Sequence, residues 1–172
     1  MNLATVRIFT KIFMRNIRMP RVALVIAIAL LAFSAHAATM PAVKYIAENG
    51  AKQTVDFSKN RLTALHFWAT WCSPCVEEFP QVSRIQEKYQ NRGFQVIALS
   101  LDTQKEQVKK FFAEENIRNL APLFDGGNSQ ALKIRGLPTT IFVNSSGEAI
   151  ARIDGAVDWQ SEKINRFIER NL

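Results

Sequence analysis

The sequence predicts an α/β domain built around a mixed β-sheet and preceded by a leader segment. In the first part of the chain, apolar runs of strand length alternate with stretches of helical periodicity. Near the end, two strand-like runs flank a short turn. Strands separated by helices imply parallel neighbours, and a late hairpin implies an antiparallel pair, so we expect both kinds of pairing in one sheet.

Residues 1–37 have the composition of a secretory signal peptide. They carry five basic residues and no acidic one, with an apolar run at 22–33 and an A-x-A motif that ends at Ala37. We expect cleavage after Ala37, which leaves a domain over residues 38–172. The apolar run is shorter than the roughly 20 residues of a membrane span, so an uncleaved anchor is the disfavoured alternative. Met14 would open a better-proportioned leader and is the alternative start.

The net charge of +7 does not indicate a nucleic-acid partner. The chain has 22 Lys and Arg and 15 Asp and Glu, and five of the basic residues lie in the leader. The remaining 17 basic residues nearly balance the acidic ones, and they form no basic stripe. We therefore expect a domain that does not bind nucleic acid.

The order of the predicted elements follows from the change between apolar runs and helical periodicity. Asp158 is the expected N-cap of the last helix, because an Asp side chain accepts hydrogen bonds from free backbone N–H groups. The predicted elements are strands at 42–47 and 53–57, a strand at 63–68, a helix from Ser73 that ends at 91–93, a strand at 94–101, a helix at 104–115, a turn at 125–128, a helix at 129–134, a strand at 139–143, a turn at 144–147, a strand at 150–153 and a helix at 159–172.

Cys72 and Cys75 are the two cysteines of the chain, and they are three residues apart in the motif Cys72-Ser73-Pro74-Cys75. A disulfide that closes so small a loop stabilises the fold very little, so a redox pair is favoured over a structural bridge. A cysteine at a helix start is stabilised as a thiolate by free N–H groups and the helix dipole. Pro74 suits a first helical turn because its missing N–H costs nothing there.

Three segments resemble the thioredoxin-like proteins. Residues 67–75 (FWATWCSPC) are similar to their active-site strand and motif, and 76–80 (VEEFP) and 137–140 (LPTT) are similar to the exported branch that includes TlpA and ResA. The resemblance covers about residues 43–172. It implies a thioredoxin-like three-layer α/β/α sandwich with a mixed central sheet and an N-terminal strand extension.

The resemblance also implies how the site residues work. Cys72 would be the exposed attacking thiol, and Cys75 would resolve the mixed disulfide. Pro138 would be cis and face the cysteine motif, and the backbone of Leu137 would pair with an extended substrate segment; the alternative is an ordinary trans proline in a turn. Trp71 would lie partly exposed beside Cys72, where an aromatic ring can pack on substrate.

Glu78 and His66 are candidate tuners of the cysteine pair. Glu78 aligns with a glutamate that influences thiol protonation in the ResA-like branch, and the alternative is a solvated helix face like that of Glu77. His66 stands where the family usually has Asp or Asn, within a predicted buried strand. Either a proton relay to Cys75 or an ordinary hydrogen-bonded core histidine would explain it.

The sequence argues against a metal or other bound cofactor. A metal site needs about four ligands, and beyond the leader the chain has two cysteines and the single histidine His66. A copper carrier of the exported thioredoxin-like kind would show CxxxC and a distal His, and a peroxiredoxin would show an isolated peroxidatic Cys. Neither pattern is present.

The predicted function is a monomeric periplasmic thiol–disulfide oxidoreductase that reduces exported proteins. The resemblance implies disulfide-bearing exported substrates, for example apocytochrome c in cytochrome c maturation. It also implies a membrane thiol donor of the DsbD or CcdA type. The alternatives are a disulfide oxidase and a non-enzymatic substrate-binding or holdase module of the same fold.

Overall fold

The computed structural model describes residues 39–172, which form a seven-stranded sheet packed with four α-helices. The predicted signal peptide, its cleavage site and the alternative start at Met14 lie outside the described residues. Within residues 39–172 no helix is both long enough and apolar enough to cross a membrane.

The elements follow the predicted order, with one strand added. A 3₁₀ turn at Phe57–Lys59 precedes the third strand, and another at Gln90–Arg92 follows the first helix. The strands are β1 (Lys44–Ile46), β2 (Lys52–Thr54), β3 (Leu62–Trp68), β4 (Phe94–Ser100), β5 (Leu123–Asp125), β6 (Thr139–Asn144) and β7 (Ala149–Asp154), and the helices are α1 (Ser73–Tyr89), α2 (Lys105–Glu114), α3 (Asn128–Ala131) and α4 (Glu162–Arg170).

The sheet is mixed, as predicted, with strand order β2-β1-β5-β4-β3-β6-β7. The central strand β3 pairs in parallel with β4 and antiparallel with β6. In the β3–β6 register Leu62 lies opposite Asn144 and Phe67 lies opposite Thr139. The end of β3 that leads into the cysteine motif therefore adjoins the start of β6, immediately after Pro138.

Apolar side chains alternate across β3 and build a core on each face of the sheet. On one face, Trp68 packs against Phe79 of α1 and Phe111 of α2 with ring centroids 4.2 and 5.2 Å apart. Helix α4 joins this cluster through buried Ile164 and Ile168. Together α1, α2 and α4 form the helical layer behind the cysteine motif.

The second face is covered by the N-terminal segment and by residues that follow α3. Leu65 and Phe67 of β3 form a buried cluster there with Val43 and Val55, and Met40, Phe57, Leu132 and Ile134 pack against it. The layers on both sides of a mixed sheet confirm the predicted thioredoxin-like fold class.

Strand β5 was not predicted, because three residues next to a Gly-Gly turn give too short a pattern. It pairs in parallel with β4 and antiparallel with β1, so it joins the N-terminal hairpin to the main sheet. A side chain at Gly126 would bring its Cβ to 2.6 Å from the carbonyl oxygen of Lys44. This close approach requires glycine at the turn after β5.

Two helix boundaries differ from the prediction. Helix α3 ends at Ala131 rather than at Ile134, which instead packs on the second core. Helix α4 begins at Glu162, and its N-cap is Ser161, whose hydroxyl accepts a hydrogen bond from the Ile164 amide. The predicted N-cap Asp158 is wrong: its carboxylate accepts from the Gln160 amide in the turn that precedes the helix.

The chain before β1 is fixed to the β6–β7 hairpin. Thr39 forms an isolated antiparallel bridge with Glu148, and the Met40 amide donates to the Gly147 carbonyl at 2.7 Å. This hairpin lies at the end of β6 that is farther from Pro138. The first described residues thus lie at the opposite end of the sheet from the cysteine motif.

Candidate functional site

The cysteine motif lies where β3 gives way to α1. Cys72 is the N-cap of α1 with an extended backbone (φ −96°, ψ 99°), and Pro74 occupies the first helical turn. No side chain caps this helix start, so its first N–H groups remain free to stabilise negative charge on a nearby sulfur. The predicted placement of Cys72 at a helix N-terminus is confirmed.

Cys72 and Cys75 are joined by a disulfide, with Cα atoms 5.2 Å apart. Cys72 is 7% exposed and Cys75 is fully buried. The prediction that Cys72 is exposed is wrong for the disulfide form, because Cys72 packs into the core cluster behind the motif. Cys72 is nevertheless the more accessible of the two cysteines. A thiol that approaches this disulfide therefore meets Cys72 more readily than Cys75.

The two tryptophans that flank the motif have opposite environments. Trp71 is 67% exposed, whereas Trp68 is fully buried in the helical core. A large exposed aromatic ring next to the disulfide offers an apolar contact for a bound chain.

The Leu137–Pro138 peptide bond is cis, as the resemblance implied. Pro138 is buried, and Leu137 is half-buried and packs against the core cluster that contains both cysteines. The Pro138 carbonyl accepts a hydrogen bond from the Gly155 amide, which holds this loop to the end of β7. The structure therefore brings Leu137 and Pro138 to the same end of the sheet as the motif.

Asp102 holds the loop in front of Cys72, and sequence reasoning missed it. Its carboxylate accepts hydrogen bonds from the Thr70 amide at 2.9 Å, the Thr70 hydroxyl at 2.6 Å and the Ser100 hydroxyl at 2.7 Å. A Ser-x-Asp pattern directly after a buried strand was the available signal. Nothing in the sequence, however, indicates that its partner lies 32 residues earlier.

Glu78 is buried, so the alternative of a solvated helix face is excluded for it. The side chain is 4% exposed, whereas neighbouring Glu77 is exposed as expected. The Val157 amide donates to Oε2 of Glu78 at 2.6 Å. Burial raises the pKa of the Glu78 carboxyl from 4.5 to about 7, and hydrogen bonds from the Val157 amide and the Trp159 side chain only partly oppose this shift.

His66 lies fully buried in β3 beside Glu78. Its Nδ1 is 3.0 Å from the Thr140 hydroxyl, and its Nε2 is 3.5 Å from Oε1 of Glu78. Burial lowers the pKa of the imidazole to about 3, so the ring is neutral at physiological pH. The contact is therefore not an ion pair between two charged groups.

Metal ligation finds no support in the arrangement of side chains. Among residues 39–172 no three His, Cys, Asp or Glu side chains cluster closely enough to hold an ion.

Comparisons with known proteins place this geometry in a family. The chain is 33% identical over 118 residues to the thiol-disulfide oxidoreductase ResA of Oceanobacillus iheyensis. That match covers 67% of this chain and 62% of the relative, less than two thirds of the relative's length. ResA of Bacillus thuringiensis subsp. konkukian is 28% identical over 124 residues, which are 70% of this chain and 69% of the relative.

A solved structure and a family profile agree with these relatives. A crystal structure of a thiol:disulfide interchange protein DsbE from Chlorobium tepidum superposes with a TM-score of 0.67 at 26% identity, covering 77% of this chain and 94% of that one. The profile of the Redoxin family matches residues 35–166, well over half of the chain. The protein is therefore a member of the Redoxin family with a thioredoxin-like fold, similar to ResA-type thiol-disulfide oxidoreductases.

Proposed function

We propose that this protein is an exported thiol–disulfide oxidoreductase that reduces disulfides in other exported proteins. The observation that carries the proposal is the Cys72–Cys75 disulfide at the N-terminus of α1, with Cys75 sealed in the core and Cys72 at its edge. A structural bridge has no need of this asymmetry. A redox pair needs one sulfur that substrate can reach and one that it cannot.

In the first step Cys72 attacks the substrate disulfide as a thiolate. A bond forms between Sγ of Cys72 and one substrate sulfur, and the second substrate sulfur leaves with the electron pair as a thiolate. The free N–H groups at the start of α1 stabilise the Cys72 thiolate because the helix dipole is positive there. Asp102 assists by holding Thr70, so the loop that ends at Cys72 keeps its shape.

In the second step Cys75 resolves the mixed disulfide. Its sulfur bonds to Sγ of Cys72, and the Cys72–substrate bond breaks, releasing the reduced substrate. The Cys75 thiol must lose a proton in this step, and we assign Glu78 as the group that tunes its protonation. Glu78 lies one helical turn beyond Cys75 on the same face of α1.

Substrate binding uses the surface around Cys72. The exposed ring of Trp71 packs on the incoming chain, and the backbone of Leu137 pairs with an extended segment of it beside Pro138. Leu137 is half-buried, so part of this residue is accessible to a bound chain.

The proposed compartment is the periplasm, reached through a leader over residues 1–37. The proposed substrates are disulfide-bearing exported proteins, with apocytochrome c during cytochrome c maturation as one example. A membrane thiol donor of the DsbD or CcdA type would return the disulfide to the dithiol state, and the protein would act as a monomer without a bound cofactor.

Insulin reduction with dithiothreitol tests the activity. The wild-type protein should accelerate precipitation of the insulin B chain, and Cys72→Ser should abolish the acceleration. Cys75→Ser should instead accumulate mixed disulfides, because Cys72 can attack but nothing resolves the product. A holdase would slow aggregation equally with and without Cys72, and that result would overturn the proposal.

The reduction potential of the Cys72–Cys75 couple tests the direction. A reductase should have a potential well below that of DsbA-type oxidants, which is about −120 mV. Equilibration with glutathione buffers followed by thiol alkylation gives the value. A potential near that of DsbA would reverse the proposed direction and make the protein an oxidase.

A further inference from the structure

Two buried polar atoms face each other behind the cysteine motif, and neither has a hydrogen-bond partner. They are Nε2 of His66 and Oε1 of Glu78, 3.5 Å apart. Buried polar atoms in proteins are nearly always paired. A third buried atom without a partner, Nε1 of Trp159, also acts on the Glu78 carboxyl as a hydrogen-bond donor. An indole N–H can only donate, so it leaves Nε2 of His66 without a hydrogen, and a proton on Oε1 of Glu78 would satisfy both Nε2 and Oε1.

The second polar atom of each side chain, Nδ1 of His66 and Oε2 of Glu78, already has a hydrogen-bond partner. Nδ1 of His66 contacts the Thr140 hydroxyl at 3.0 Å, and Oε2 of Glu78 accepts from the Val157 amide at 2.6 Å. When Nδ1 donates its hydrogen to Thr140, Nε2 carries a lone pair and points it toward Glu78. The two side chains are thus oriented by β6 and by the segment before α4.

The surroundings of the pair favour a neutral arrangement. Phe79 of α1 and Trp159 flank the imidazole with ring centroids 6.1 and 5.8 Å away. Within residues 39–172 the other buried acidic side chain is Asp102, which is engaged by Thr70 and Ser100. Tyr89, also buried, is engaged by Asn165 and Glu169. Among residues 39–172 no Lys or Arg side chain is buried, so no buried cation compensates an ionised Glu78. Burial disfavours the ionised form, and the hydrogen bonds from the Val157 amide and the Trp159 side chain oppose this effect only in part.

We propose that His66 and Glu78 act as one proton-storing pair, in which Nε2 of His66 accepts a hydrogen bond from protonated Oε1 of Glu78. His66 is a positioning residue in this pair: it fixes where Glu78 keeps the proton. This inference rests on the proposed function, because it assigns the pair a step in thiol–disulfide exchange.

The step is the resolution of the mixed disulfide. As Cys75 attacks Cys72, the proton of the Cys75 thiol passes to the Glu78 carboxylate, and His66 accepts the hydrogen bond that this proton makes. The new bond joins the two cysteine sulfurs, and the Cys72–substrate bond breaks. Its electron pair leaves with the substrate thiolate, which takes a proton from water. The pair holds the proton while the disulfide persists and returns it to Cys75 on reduction.

Nitrogen NMR of the full chain tests the pair without any activity measurement. His36→Gln leaves His66 as the single histidine of the sequence. We expect a neutral ring with a protonated Nδ1 and a bare Nε2 from about pH 4 to about pH 8. The Nε2 signal should shift where Glu78 titrates, and Glu78→Gln should remove that shift. A protonated Nε2, or a ring that titrates near its ordinary pKa of about 6.5, would overturn the proposal.

A double-mutant cycle gives a second test, with the pH dependence of thiol alkylation in the reduced protein as the readout. His66→Asn should lower the inflection due to Glu78 by about one pH unit, because the acceptor for its proton is lost. In a Glu78→Gln background His66→Asn should have no further effect. The matched control Glu77→Gln, on the exposed face of α1, should leave the profile unchanged. An equal shift in both backgrounds would show that His66 acts independently of Glu78.

The outcomes separate this inference from the proposed function. If the wild-type protein reduces insulin but His66→Asn leaves the pH profile of alkylation unchanged, the proposed His66–Glu78 pair is refuted. The proposed oxidoreductase function is then unaffected. If the NMR result holds but the protein does not exchange disulfides, the pair exists and its role in resolution is wrong. Should His66→Asn fail to fold, the NMR measurement on the chain that keeps His66 decides alone.

Discussion

Two buried carboxylates serve the regions on either side of the cysteine motif, and their hydrogen bonding differs. Asp102 accepts three hydrogen bonds from Thr70 and Ser100, and both of its oxygens are occupied. Glu78 accepts one from the Val157 amide, and its Oε1 has none. A carboxylate whose two oxygens both accept hydrogen bonds is fixed in place. A buried carboxylate with one oxygen that accepts none is more readily protonated. The same chemical group thus holds a loop in one region and can store a proton in the other.

Removal of Asp102 should have the largest effect on stability. Asp102→Ala leaves the Thr70 amide and two hydroxyls without their acceptor, so we expect the free energy of unfolding to fall by about 4 kcal/mol. Asp102→Asn, which keeps the shape and some of the hydrogen bonds, should lose about half as much. Urea denaturation monitored by circular dichroism measures both. Equal losses for the two variants would show that packing, rather than hydrogen bonding, is what Asp102 contributes.

Glu78→Gln should stabilise the protein, but only at high pH. The folded-state pKa of Glu78 is about 7 and its ordinary value is 4.5, so the folded state binds this proton more tightly than the unfolded state. The wild-type protein therefore loses stability as the pH rises from 4.5 through about 7, by about 3 kcal/mol in total.

Glutamine avoids this loss because it does not titrate, while its amide can still accept from Val157 and donate to His66. Unfolding free energies of the oxidised protein, measured at about pH 4.5 and about pH 8, should be similar at the lower pH. At the higher pH they should differ by about 3 kcal/mol in favour of the variant. A variant that is less stable at both values would contradict the raised pKa of Glu78.

Thr70→Val should lower the stability of the protein moderately, because Thr70 is a hydrogen-bond partner of Asp102. It removes the hydroxyl donor at 2.6 Å while the Thr70 amide can still bind Asp102. We expect a loss of about 1 kcal/mol in thermal unfolding, and Thr70→Ser should restore nearly all of it. If Ser does not rescue, the hydroxyl is not the group that matters.

Glu77→Gln should have the smallest effect, because this side chain is exposed on the same helical turn as Glu78. The free energy of unfolding should change by less than about 0.5 kcal/mol, with no dependence on pH between about 5 and about 8. A change as large as that of Glu78→Gln would mean that position along α1, rather than burial, controls the carboxylates.

The sequence predicted the centre of the fold better than its periphery. Strand β3, helix α1 and strand β4 are long and apolar on the right period, and they appear within a residue or two of their predicted bounds. Strand β5 has three residues, and its existence depends on β1, which lies far away in the chain. The start of α4 depends on which of Asp158 and Ser161 reaches free amides, and both are acceptable N-cap residues.

The functional site likewise contains some residues that the sequence predicted and some contacts that it did not. Cys72, Cys75 and Trp71 were predictable from the cysteine motif, and Pro138 was predictable from the resemblance to thioredoxin-like proteins. The structure places all four at one end of the sheet. The contacts of Asp102 with Thr70, and of His66 with Glu78, were not predictable. They join residues 32 and 12 positions apart on different elements, so only the packing of β3, β4 and α1 decides which polar atoms meet.

The bridge between Thr39 and Glu148 determines which end of the domain would face a surface to which the N-terminal side is attached. Thr39 lies at the hairpin end of β6, about 20 Å along the strand from the loop that contains Pro138. A tether on that side, whether a lipid bilayer or a sensor chip, would therefore leave the disulfide facing outward into solution. Attachment through the N-terminus should preserve collision with large protein substrates, whereas coupling through groups near Trp71 should block it.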